Sequence, residues 1–75
     1  MSTPPRWTTE EPKPELGRPR TWERYDNGYH LAIWEGYLLF WWRIDGTEES
    51  GYEPTPHAAM CAVARAMKRI REGSE

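Results

Sequence analysis

Cysteine is nearly missing from this chain: Cys61 stands alone, so neither an intrachain disulfide nor a multi-cysteine zinc site can form. Such a chain suits a reducing compartment, and the cytoplasm is the expected location. Long apolar runs are missing too. The longest, Tyr37 to Trp42, falls far short of the roughly 20 residues that span a bilayer, so no membrane partner is expected. The opening Met1-Ser2-Thr3-Pro4-Pro5 holds no apolar core of the kind a secretory signal needs. There is no glycine-rich phosphate loop, no Gly-x-Ser-x-Gly element and no nucleophile–base arrangement. A chain of 75 residues forms one small domain with little room for a deep pocket. These absences point away from an enzyme, and no catalytic residue or cofactor is expected. His57 and Cys61 stand four apart, as two ligands on one helix face would, but a metal site needs three or four ligands. No metal is expected.

Basic charge is sparse where a nucleic-acid reader would need it. The net charge is −2, and it is unevenly spread. Residues 1–20 carry a net +1, residues 21–53 a net −5 and residues 54–75 a net +2. The acids cluster in the connection Asp45, Glu48, Glu49 and Glu53, which reads as a solvated loop without EF-hand spacing.

What the chain does have is aromatic side chains: five tryptophans and four tyrosines. Such amphipathic rings recur as anchors at interfaces. Five of the seven prolines fall within residues 1–20, between charged residues, and only Trp7 and Leu16 are substantially apolar there. That segment reads as an extended or disordered tail. Residues 21–72 form the folded domain, and 73–75 a short C-terminal tail.

Asn27-Gly28 is a strong hairpin signal, because both residues tolerate positive φ. Glu35-Gly36 offers a second two-residue turn. Together they predict three antiparallel strands, 21–26, 29–34 and 37–44, with a short edge strand conceivable near Tyr52. Thr55 suits a helix N-cap and Pro56 the first helical position. Ala59, Met60, Val63, Met67 and Ile70 recur at helical spacing, and Gly73 is a natural stop. The fold class is therefore α+β: a three-stranded antiparallel sheet (β-β-β-α) packed on one C-terminal helix.

The two turns fix an expected register. The first pairs Asp26 with Tyr29 and Trp22 with Ile33. The second pairs Trp34 with Tyr37 and Leu31 with Phe40. With period-two alternation, one face holds Trp22, Arg24, Tyr29, Leu31, Ile33, Leu38, Phe40, Trp42 and Ile44 and should meet the helix. The other face holds Tyr25, His30, Ala32, Trp34, Tyr37, Leu39 and Trp41, with Glu23 and Arg43.

One helix covers one face, so the second is left with an aromatic patch of the kind that marks a contact surface. Either the tail and Trp7 fold over it, or another molecule does. Tyr25, His30, Trp34, Tyr37, Leu39 and Trp41 are the candidate partner-binding residues. The first reading is a small non-enzymatic protein-binding module. The alternatives are a structural homodimer through the same face, and a DNA-binding module with phosphate contacts from Arg43, Arg65, Lys68 and Arg69.

The order of hairpin, third strand, Gly51-Tyr52-Glu53-Pro54-Thr55 and an alanine-rich helix from Ala58 to Ala66 resembles the layout of arm-type DNA-binding domains of phage tyrosine recombinases. The resemblance spans roughly residues 22–70 and implies the same sheet-plus-helix fold. Those domains present a basic sheet to DNA, whereas the sheet segment here is acidic. The layout is also similar to that of small bacteriophage accessory proteins, including host-defence inhibitors. That implies a phage or mobile-element setting and a protein partner.

Overall fold

Asn27 sits at φ 55 and Gly28 at φ 83, the paired left-handed geometry that a two-residue hairpin turn demands. Around this turn the chain builds an antiparallel sheet. The computed structural model describes residues 7–73. Its strands are β1 (Thr8–Glu10), β2 (Thr21–Asp26), β3 (Tyr29–Glu35), β4 (Phe40–Ile44) and β5 (Ser50–Glu53), followed by helix α1 (Pro56–Gly73). The sheet order is β1-β2-β3-β4-β5, so every strand lies beside its neighbour in sequence.

The α+β class with one C-terminal helix on an antiparallel sheet is as expected, but the sheet has five strands rather than three. The fourth of these, β4, begins at Phe40 rather than Tyr37. The fifth, β5, is the short edge strand near Tyr52. The remaining one, β1, comes from the segment read as a tail. There Thr8-Thr9-Glu10 is free of proline, and its three residues pair with Glu23, Trp22 and Thr21. Trp7 packs against the core, and its ring lies under the Arg24 guanidinium at 5.1 Å. An aromatic anchor with a cation–π contact supplies the ordering free energy that prolines and charges cannot. A 3₁₀ turn at Pro14–Leu16 and a bridge between Lys13 and Arg18 return the chain to β2. Residues 1–6 of the expected tail, and 74–75 at the other end, lie outside the described residues.

The first hairpin has the expected register, from Asp26↔Tyr29 to Trp22↔Ile33. The second does not. Trp34 faces Trp41 and Leu31 faces Ile44, a slide of four residues from the expected partners Tyr37 and Phe40. Glu disfavours the positive φ that a two-residue Glu35-Gly36 turn requires. The chain instead makes a longer connection across Gly36–Leu39, closed by Gly36 N–H donating to the Leu39 carbonyl at 2.9 Å. An even slide leaves every strand side chain on its expected face. Leu38 is the exception to the inner set: it lies in the turn, 79% exposed.

The inner face meets α1. Leu31, Ile33, Trp42 and Ile44 from the sheet bury against Ala59, Ala62, Val63, Ala66 and Met67 from the helix. Ala62 and Ala66 were not in the expected stripe. Their small side chains let the helix approach the sheet closely, while Met60 and Ile70 fall at its partly buried margins. Thr55 is the N-cap, its Oγ1 accepting from Ala58 N–H at 3.0 Å. Gly51 also has a packing duty. A Cβ there would come within 2.9 Å of the Trp42 indole nitrogen, so the glycine makes room for that ring to lie across β5.

Candidate functional site

The outer face carries three ranks of side chains, each running across the strands. The first is aromatic. Thr21 pairs with Trp34, Trp34 with Trp41 and Trp41 with Tyr52. The Trp34 and Trp41 rings meet edge to face with centroids 5.8 Å apart, and Trp41 and Tyr52 do so at 5.6 Å. Trp41 is 47% exposed and Tyr52 60%. No described element lies over this rank. The alternative in which Trp7 covers it does not match the geometry, since Trp7 packs on the helix side of the sheet.

The second rank is Glu23, Ala32, Arg43 and Ser50. Ala32 is buried between its larger neighbours although no layer covers it. The Arg43 guanidinium lies 5.5 Å from the centre of the Trp34 ring, and its Nε donates to Asp45 Oδ1 at 2.8 Å.

The third rank is Tyr25 and His30, with Asp45 at its end. The Tyr25 and His30 rings are 4.9 Å apart. His30 Nδ1 is 2.7 Å from Asp45 Oδ2, and Nε2 is 2.8 Å from Glu23 Oε1. Carboxylate oxygens only accept, so both contacts are hydrogen bonds when the ring is an imidazolium, the form this site favours. The hydrogen bond to Asp45, ahead of that to Glu23, raises the His30 pKa above its ordinary 6.5 despite partial burial. The same bond, with help from Arg43, holds the Asp45 carboxyl below its ordinary 3.8.

Of the expected partner-binding residues, Trp34 and Trp41 stand side by side at the centre of the face. Tyr37 and Leu39 project from the β3–β4 turn, Tyr37 being 91% exposed. Tyr25 and His30 lie at the opposite end, and His30 belongs to the charged cluster rather than to the aromatic rank. Leu38, expected on the inner face, joins Tyr37 and Leu39 in the turn, where its φ of 69 is left-handed. Tyr52 was missed as an anchor. Its signal was the alternation Ser50, Gly51, Tyr52, which places it beside Trp41 once β5 is paired. The Glu23–His30–Asp45–Arg43 cluster was not legible either, since its members come from three strands.

The candidate phosphate contacts are not brought together. Arg43 lies on the outer face and is paired with Asp45, whereas Arg65, Lys68 and Arg69 lie on α1, across the sheet. Arg69 donates to Glu49 at 2.8 Å. Among the described residues no group of three or more His, Cys, Asp or Glu is arranged to hold a metal ion. Cys61 Sγ is 3.7 Å from His57 Nε2 on the exposed side of the first helical turns. Among the described residues no helix is long and apolar enough to cross a membrane. No protein-family model, no curated protein and no solved structure matches the chain.

Proposed function

We propose that this chain is a non-enzymatic protein-binding module that docks its partner through the outer sheet face, with Trp41 at the centre of the contact and Trp34 and Tyr52 beside it. The observation that carries this reading is the aromatic rank itself. Three rings are held edge to face across β3, β4 and β5 with no described element over them. Rigid aromatic anchors lose little conformational entropy on docking and dominate binding energy in most interfaces. The Tyr37-Leu38-Leu39 turn extends the apolar surface. A leucine held left-handed and largely exposed costs stability without packing in return. Such strain collects where a residue serves a contact rather than the fold. The resemblance in layout favours a cytoplasmic phage or mobile-element accessory protein, such as a host-defence inhibitor, acting on a host protein.

The test is a photo-reactive residue at position 37, introduced in cells that express the chain, with and without Trp41→Ala. The reading expects a covalent adduct with a different protein that disappears in the Trp41→Ala background. That variant should lose about 2–3 kcal/mol of stability, since half the ring and its two edge-to-face contacts are removed, and its circular dichroism is compared with wild type so that unfolding is not read as loss of the contact. An adduct with a second copy alone would make the face a homodimer interface. An adduct indifferent to residue 41 would remove the aromatic rank from the contact.

A further inference from the structure

The aromatic and the charged ends of the outer face are joined through one side chain. The Arg43 guanidinium lies 5.5 Å from the centre of the Trp34 ring, in the aromatic rank. Its Nε donates to Asp45 Oδ1 at 2.8 Å, in the charged cluster. The other oxygen of that carboxylate, Oδ2, is 2.7 Å from His30 Nδ1. Glu23 Oε1 is 2.8 Å from Nε2, on the far side of the imidazole. Short contacts thus run from Glu23 through His30, Asp45 and Arg43 to Trp34.

We propose that this line of contacts is a proton switch: protonated His30 leaves the Arg43 guanidinium on the Trp34 ring, and loss of the proton draws it away toward Glu23 and Asp45. The Trp34 surface of the outer face then follows the charge of a residue at the other end of that face. Regulation of a partner's docking by this switch rests on the protein-binding reading above; the switch itself needs no partner.

The first ground is charge balance. With His30 protonated, two cations, His30 and Arg43, face two carboxylates, Glu23 and Asp45. With His30 neutral, Arg43 alone faces both. A neutral imidazole has one N–H. Whichever nitrogen keeps it, the other turns a lone pair toward a carboxylate oxygen at 2.7 or 2.8 Å. The carboxylate left without a donor needs another, and Arg43 is the cation on its face. Glu23 and Arg43 flank Ala32 in one rank, and that methyl group leaves the way between them open.

The second ground is freedom of movement. The Arg43 side chain is 53% exposed, and its guanidinium has donors to spare beyond the Nε bond to Asp45. An exposed cation–π contact is weak beside a charge-assisted hydrogen bond, so a second carboxylate outweighs the ring.

The third ground is the neighbourhood of His30. On β2, Tyr25 lays its ring against the imidazole, while Arg24 and Asp26 bond each other on the inner face. Beyond β4, Glu49 is held by Arg69 of the helix. Asp45 and Glu23 are the charged groups that raise the His30 pKa, so the transition lies above pH 6.5.

The test follows the Trp34 indole N–H and the His30 ring by NMR of the full chain, from about pH 5 to pH 9. The proposal expects one shared midpoint above pH 6.5, with the Trp42 indole on the inner face unmoved. Arg43→Gln should flatten the Trp34 response while His30 still titrates. Glu23→Gln should lower both midpoints together. Amide spectra of the variants are compared with wild type, so that a change of fold is not read as a change of switch. A flat Trp34 signal in the wild type while His30 titrates would overturn the proposal. So would a Trp34 response that survives Arg43→Gln, because the ring would then sense pH by another route. If the switch fails while the position-37 adduct remains dependent on Trp41, the docking reading stands without this regulation. A shared midpoint without any adduct would keep the switch and remove that reading.

Discussion

His30 ties three strands together from β3, with Glu23 on β2 and Asp45 at the end of β4. Its raised pKa makes that tie pH-dependent with a definite sign. The folded state holds the imidazolium more strongly than the unfolded chain does. The stabilisation is therefore complete below pH 6.5 and is lost as pH rises through the raised value. Asp45 works in the opposite direction. Its contribution is complete above pH 3.8 and is lost as acid takes pH down through the lowered value. The Tm advantage of the wild type over His30→Gln should thus be greatest below pH 6.5 and shrink as pH is raised above it; a constant gap in paired melts would sever His30 from the two carboxylates. Gly51→Ala sets a Cβ against the Trp42 indole and should cost about 1–3 kcal/mol in urea denaturation. Leu38→Asn relieves a left-handed leucine and should add about 0.5–1 kcal/mol, since asparagine tolerates that region. Equal stability of the two would show that the turn is not strained.

At the scale of elements, β1 is held by three residue pairs and by one anchor, Trp7, on the inner face. Trp7→Ala removes both the packing and the cation–π contact with Arg24. It should cost about 2–3 kcal/mol and increase hydrogen exchange in β1 before that in β3. Uniform protection across the sheet in that variant would mean that β1 does not open separately. The second hairpin shows how much a strand pattern can and cannot resolve. Alternation from Leu31 to Ile44 separates the faces whichever turn joins the strands, provided that the register moves by an even number. It says nothing about whether Trp34 meets Tyr37 or Trp41. The conformational preferences of the turn residues decide that, and Glu35 disfavours the tighter option.

At the scale of the whole molecule, one helix and a five-stranded sheet make a two-layer domain with one covered face. Every strand pairs with its sequence neighbour, so contacts are local and folding should be fast and two-state. The two faces carry different chemistry. The inner one has an aliphatic centre beside Trp42, with Trp7, Trp22, Tyr29 and Phe40 packed around its margins; the outer one is aromatic at one end and charged at the other. Light scattering should find a monomer for the wild type and for Trp41→Ala, because the proposed occupant of the outer face is a different chain. A Trp41-dependent dimer would transfer that face to self-association.

The amino-acid pattern by itself determined the hairpin at Asn27-Gly28, the helix from its Thr55 cap, the division of side chains between two faces and the aromatic character of the outer one. Each follows from neighbours a few residues apart, through turn geometry, capping and period-two or helical spacing. Tertiary structure alone decided that Trp7 and β1 join the inner side, and that Tyr52 completes a rank with Trp34 and Trp41. It likewise decided that His30 lies between Glu23 and Asp45. These depend on which strands lie side by side and at what offset. That is a balance of backbone pairing and side-chain burial over the whole sheet, and no local run of residues contains it.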